Sequence, residues 1–109
     1  MSQVILTIGG ESFALKCTLD AFRTIPANLG GFVGAFNALA SADVNTCAFI
    51  IAAATGKALD FKEHERVASK MFEEGLDRPL FDKLTEYVKL LQNGGKVKTE
   101  AAQGAPAGE

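Results

Sequence analysis

Few residues in this chain have the types and spacing that chemistry requires. Thr55-Gly56-Lys57 has the form of the end of a phosphate-binding loop, but Ala58 stands where a Mg²⁺-binding Ser or Thr is needed. No earlier glycine lies at the required spacing, and a helical pattern rather than a strand precedes it. His64 is the sole histidine and lies between Glu63 and Glu65, where a solvated surface imidazole is expected. It belongs to no H-E-x-x-H pair, so metal binding lacks further ligands. Cys47 and His64 could form a thiolate pair, yet Cys47 sits in an apolar helical run that would hide it and raise its pKa. Glu73, Glu74 and Asp77 cluster around a helix end and the next helix start, and dipole placement explains Asp77 without an acid–base role. The expectation is a protein that is not an enzyme and has no cofactor and no metal.

Composition points the same way. With 109 residues, 48% hydrophobic and 22% charged, the chain has room for one ordinary core and no second domain. A net charge of −2 and a pI near 5.4 give no basic field for phosphates, so no nucleic-acid partner is expected. Met1-Ser2-Gln3 runs directly into a strand pattern without the basic and apolar regions of a signal peptide, so residence in the cytoplasm is expected. The apolar run Ala48 to Ala54 is far shorter than the roughly 18–20 residues that span a bilayer, so no membrane partner is expected either. Cys17 and Cys47 have no C-x-x-C spacing and read as buried, reduced thiols.

The elements follow from local pattern. Residues 4–17, VILTIGGESFALKC, are two β-rich runs around Gly9-Gly10, which supply the positive φ of a two-residue hairpin turn. That turn sets Ile8 opposite Glu11, Leu6 opposite Phe13 and Val4 opposite Leu15, and one face collects Val4, Leu6, Ile8, Phe13 and Leu15. Thr18 is the N-cap of a helix carrying Phe22, Ile25 and Leu29, which Pro26 should strain or end near Ile25 and Gly30-Gly31 should close. A second stripe of Phe32, Val33, Phe36 and Leu39 follows, with Gly34, Ala35, Asn37 and Ala38 opposite. Asn45 is expected to cap a short helix, Thr46 to Thr55, stopped by Gly56.

Asp60-Phe61-Lys62-Glu63 has the form of a capping box, with Leu59 as its hydrophobic staple. The helix it opens should run to Glu74 and bury Val67, Ala68, Met71 and Phe72. The last helix should begin around Asp77-Arg78-Pro79, bury Leu80, Leu84, Val88 and Leu91, and stop at Asn93-Gly94-Gly95. The fold class is therefore α+β, an N-terminal two-stranded β-hairpin followed by a bundle of four to five helices. Residues 1–93 make a single domain, and 94–109 should be a disordered tail.

Charge is unevenly spread. Between Thr24 and Gly56 the only charged side chain is Asp43, whereas Asp60 to Asn93 carries eight acidic and six basic residues. A surface helix normally has a charged face, so two helices without one are either mostly buried or meet a partner. The Ala48–Ala54 run suits a central core helix. The partner-binding hypothesis falls on Phe32, Val33, Phe36 and Leu39, facing another protein or a second copy of this chain in a homo-oligomer.

The succession of elements is similar to a known family. VILTIGGESFALKCTLDAF resembles the opening of the small tail assembly chaperones of tailed phages and gene transfer agents, with a strand, glycine turn, strand and Thr-led helix. MFEEGLDRPLFDKLTEYVKLLQNG resembles their second signature, an acidic residue and Gly-Leu before an amphipathic final helix. The resemblance covers residues 3 to 94. It implies a cytoplasmic protein of the bacterial host, encoded next to the tape-measure protein and binding it while the tail tube assembles, with the tail tube protein a second partner. Some relatives are structural tail-tube components, which implies a place in the phage particle as the alternative. An unrelated small protein-binding adaptor is the third reading.

Overall fold

A computed structural model describes residues 3–96, and the elements run in the order hairpin then five helices: β1 (Gln3–Ile8), β2 (Glu11–Lys16), α1 (Leu19–Leu29), α2 (Gly31–Ala40), α3 (Val44–Ala54), α4 (Phe61–Glu74) and α5 (Arg78–Gln92). The α+β class and the helix number stand as expected from sequence. The expected tail over 94–109 falls largely outside the described residues, which end in a turn at Lys96.

β1 and β2 pair antiparallel with Val4 opposite Leu15, Leu6 opposite Phe13 and Ile8 opposite Glu11, as the turn chemistry required. Gly9 and Gly10 take φ of 56° and 81°, which an L-residue reaches only at a cost. The inner face of the hairpin, Val4, Leu6, Ile8, Phe13 and Leu15, is fully covered by the helices. A lone hairpin is marginal in water, so this burial holds it. At its open end the Tyr87 hydroxyl of α5 donates to the Lys16 carbonyl at 2.7 Å, and burial pushes that phenol's pKa up.

α3 is the central element. Cys47, Ala48, Ile50, Ile51, Ala52, Ala53 and Ala54 are all buried, and it packs on β2, α1, α2 and α4. Four alanines let the neighbouring helices approach closely while Ile50 and Ile51 fill the space between them. The α3 part of the uncharged stretch is therefore core. Its cap is Asp43, which accepts from the N–H groups of Asn45 and Thr46 and from the Thr46 hydroxyl, so the helix starts two residues before the expected Asn45-capped start.

α1 is capped by Thr18, whose hydroxyl accepts from Ala21 N–H. The expected break at Pro26 does not occur, and the helix continues to Leu29. Proline removes only the bond to the Phe22 carbonyl, and Phe22 lies at the surface, where water can replace it. Gly30, at φ 80°, then turns the chain, and Gly34 of α2 lies so close to α1 that a Cβ there would sit 1.8 Å from the Leu29 carbonyl oxygen. That contact sets the corner between α1 and α2.

α4 opens on Asp60, which accepts from Lys62 and Glu63 N–H, but only half of the capping box forms. Glu63 turns to Arg66 instead of back to the cap. Leu59 is exposed, so the staple is absent. The buried line is Glu63, Val67 and Met71, with Ala68 half-buried beside it. Phe72, expected in the core, is 88% exposed, because it stands one residue, about 100° of helical turn, beyond Met71. α5 begins on an Asp77 cap to Leu80 N–H and buries the expected Leu80, Leu84, Val88 and Leu91, with Tyr87 added.

Candidate functional site

No hydrogen bond joins Thr55, Cys47 and His64 to one another. Thr55 closes α3, and its hydroxyl donates to the Ile51 and Ala52 carbonyls, so it is committed to the helix end and not to a ligand. Cys47 is fully buried, and burial pushes its thiol up to about 11. His64 differs from the expected solvated side chain. It is half-buried, its Nε2 is 2.7 Å from the Ala58 carbonyl oxygen, and its ring lies against Phe49 and Phe61 at 5.8 and 5.5 Å between centroids. That contact fastens the α3–α4 connection. Among the described residues no group of three His, Cys, Asp or Glu side chains is arranged to hold a metal, and no helix is long and apolar enough to cross a membrane.

The fold brings apolar area to the surface at Leu59, Phe61 and Phe72 around α4 and on α1 and α2. Of the four residues singled out by sequence, Val33 is 72% exposed, whereas Phe32 and Phe36 are half-buried against the core. Leu39 is 4% exposed and cannot face a partner. The reason is helical phase, because Ala35 and Leu39 form the i, i+4 line that points inward. Ala35 was expected on the opposite side from Leu39, and it shares its face. Phe32 and Phe36 flank that line, and Val33 stands outside it.

Leu19, which the sequence reading did not single out, and Phe22, which it placed on the apolar line of α1 with Ile25 and Leu29, complete the surface. Leu19 is 70% and Phe22 39% exposed, both on α1. Phe22 lies against Phe32 with ring centroids 5.6 Å apart, which joins the two helices into one apolar face. Leu19 and Phe22 also line a groove of about 330 Å³ with Cys17, Thr18, Leu91 and Gly94. Leu19 carried a usable signal, since it opens a helix beside a polar cap rather than repeating the Ala21–Ile25 stripe.

The clearest electrostatic arrangement lies elsewhere, at the junction of β2 and α4, where Arg66 links Glu11 and Glu63. Its hydrogen bonds hold both carboxyls below the usual glutamate range and raise the guanidinium further. All charges there are mutually satisfied, so the cluster fastens α4 to the hairpin. Comparison with protein-family models, with curated proteins and with solved structures gives no match.

Proposed function

We propose that this protein is a tail assembly chaperone of a phage or gene transfer agent, binding the tape-measure protein while the tail tube is built. The observation that carries the reading is the apolar face of Leu19, Phe22, Phe32 and Val33, of which Phe32 and Val33 belong to the stretch from Thr24 to Gly56 whose only charge is Asp43. Large exposed apolar residues joined across two helices suit a partner that presents its own apolar helical face. The order of elements, which resembles that family over residues 3 to 94, supplies the client's identity. A protein-binding role needs no catalytic group.

Co-expression with the tape-measure protein encoded beside it tests the reading. The chain should keep that protein in solution and co-purify with it, and Val33→Asp combined with Phe22→Ser should abolish both effects without unfolding the chain. A chain that neither solubilises nor binds it, and is recovered from finished particles, is instead a structural tail component.

A further inference from the structure

We infer that α4 pairs antiparallel with α4 of a second copy of this chain, through an outer strip formed by Phe61, Ala68 and Phe72. The core side of the helix is the line Glu63, Val67 and Met71. A second line runs along its outside, where Phe61, Glu65, Ala68 and Phe72 succeed one another at spacings of four, three and four residues. That spacing keeps side chains on one face, as along the seam between two paired helices. Phe61 is 76% exposed and Phe72 more so, and about three turns, or ~16 Å, separate them. The Phe61 ring rests on His64, which the Ala58 carbonyl holds in turn, so the ring is steadied at the surface. Leu59 and Leu76, exposed just beyond the two ends of the helix, lengthen the strip. Single exposed apolar residues need no explanation, but a line of them at seam spacing calls for a partner.

Charge selects a second copy and sets its direction. Lys62 and Glu73 border the strip on the same side, about 100° and about 120° round the helix from Phe61. Among the described residues neither has an ion-pair partner. When two such helices meet antiparallel with Phe61 opposite Phe72, each flank meets the same flank of the other copy. Lys62 then falls within two residues of Glu73 of the second copy, and Glu73 by symmetry within two of its Lys62, so one patch forms two ion pairs with itself. Parallel pairing would set Lys62 against Lys62 and Glu73 against Glu73, with the helix dipoles aligned side by side. Glu65, the one charge within the strip, comes opposite Ala68 and Ser69 of the second copy, where a small side chain leaves room and a hydroxyl can donate to the carboxylate. One face of a 14-residue helix belongs with the small interfaces, below about 1,200 Å² in total, so the dimer should part on dilution. None of these residues belongs to the apolar face of α1 and α2, so the dimer stands independently of the client reading.

Sedimentation of the full chain across a concentration series tests the pairing. The mass should rise from 11.5 kDa toward twice that value. Phe61→Ser combined with Phe72→Ser should lose the dimer while the far-ultraviolet circular dichroism stays unchanged, because both rings lie outside the core. Lys62→Glu alone and Glu73→Lys alone should each weaken association several-fold, and the two together should restore it. A chain that keeps monomer mass at the highest concentration overturns the inference, as does a dimer indifferent to the phenylalanine variant. Double-swapped chains that associate no better than the single variants overturn the antiparallel pairing. Val33→Asp, expected to abolish client binding, should leave the dimer intact. A dimer lost with that substitution places the contact on α2 and overturns the inference as well.

Discussion

Arg66 grips Glu11 across fifty-five residues of sequence, with Nη1 and Nη2 donating to the two carboxylate oxygens at 2.6 and 2.9 Å. The same guanidinium donates to Glu63 at 3.0 and 2.8 Å and lies 5.8 Å from the centre of the Phe13 ring. Both carboxyls are held below their ordinary range, chiefly by these bonds. A depressed acid stabilises the fold above its unfolded pKa, and that contribution is lost as pH falls through the folded value. The melting temperature of the wild type should therefore fall as pH drops below the ordinary glutamate range. Arg66→Met should melt lower at neutral pH and converge on the wild type in acid. A gap that stays constant with pH would assign the effect of Arg66 to its packing on Phe13.

α3 should be the least forgiving element. Ile51 is fully buried among helices held close by Ala48, Ala52, Ala53 and Ala54, so Ile51→Ala should cost about 2–5 kcal/mol in denaturant unfolding. Ala52→Leu errs in the other direction and should cost ~1–3 kcal/mol by overpacking.

Gly34 tests the corner between α1 and α2. A glycine inside a helix is ordinarily improved by alanine, by about 1 kcal/mol. Here the added Cβ meets the Leu29 carbonyl oxygen, so Gly34→Ala should destabilise the chain and separate the Phe22 and Phe32 rings, with loss of their mutual contact in resonance spectra. An increase in stability would show that the corner relaxes freely.

Within α2, core and surface separate at single-residue resolution. Leu39→Ala should cost ~2–5 kcal/mol, whereas Val33→Asp should change stability by no more than about 0.5 kcal/mol yet abolish client binding. Equal losses of stability would mean that Val33 also serves the core.

Neither thiol should react in the native state. Cys17 and Cys47 are buried, and desolvation raises both, Cys47 to about 11. A raised thiol favours the fold below its unfolded pKa and loses that contribution as pH rises through the folded value. Alkylation at neutral pH should therefore modify neither cysteine until denaturant is added, and then both. Rapid native labelling of Cys47 would mean that α3 opens readily.

Features decided within a few residues were legible in the sequence. The glycine turn and the 2-residue alternation fixed the register of the hairpin. Thr18, Asp60 and Asp77 announced their helices because a cap is a local bond between a side chain and the next N–H groups. Departures arose where distant packing chose. Asn45 and Asp43 are both good caps, and the buried Thr46 hydroxyl, bonded to Asp43, settled the competition. Glu63 left its capping-box partner because Arg66 offered a charged one. Phe72 was placed inside by its type and outside by its phase. On α2, Leu39 and Val33 look alike in sequence, and the docking of α2 on the core through Ala35 and Leu39 decided which faced water. Leu19 escaped notice and Phe22 was read only as part of the α1 apolar line, because their surface role depends on the meeting of α1 with α2.

The bond from Tyr87 to Lys16 spans seventy-one residues, and it implies an order of events during synthesis. The hairpin is made before α5, the last of the described helices, which packs against β1 and closes the underside. Until that helix leaves the ribosome, the apolar face of the hairpin has no complete cover. The nascent hairpin is thus exposed to misassembly until α5 emerges, and the described fold should be acquired in one step at that point. Ribosome-bound chains stalled before Leu84 should remain protease-sensitive throughout.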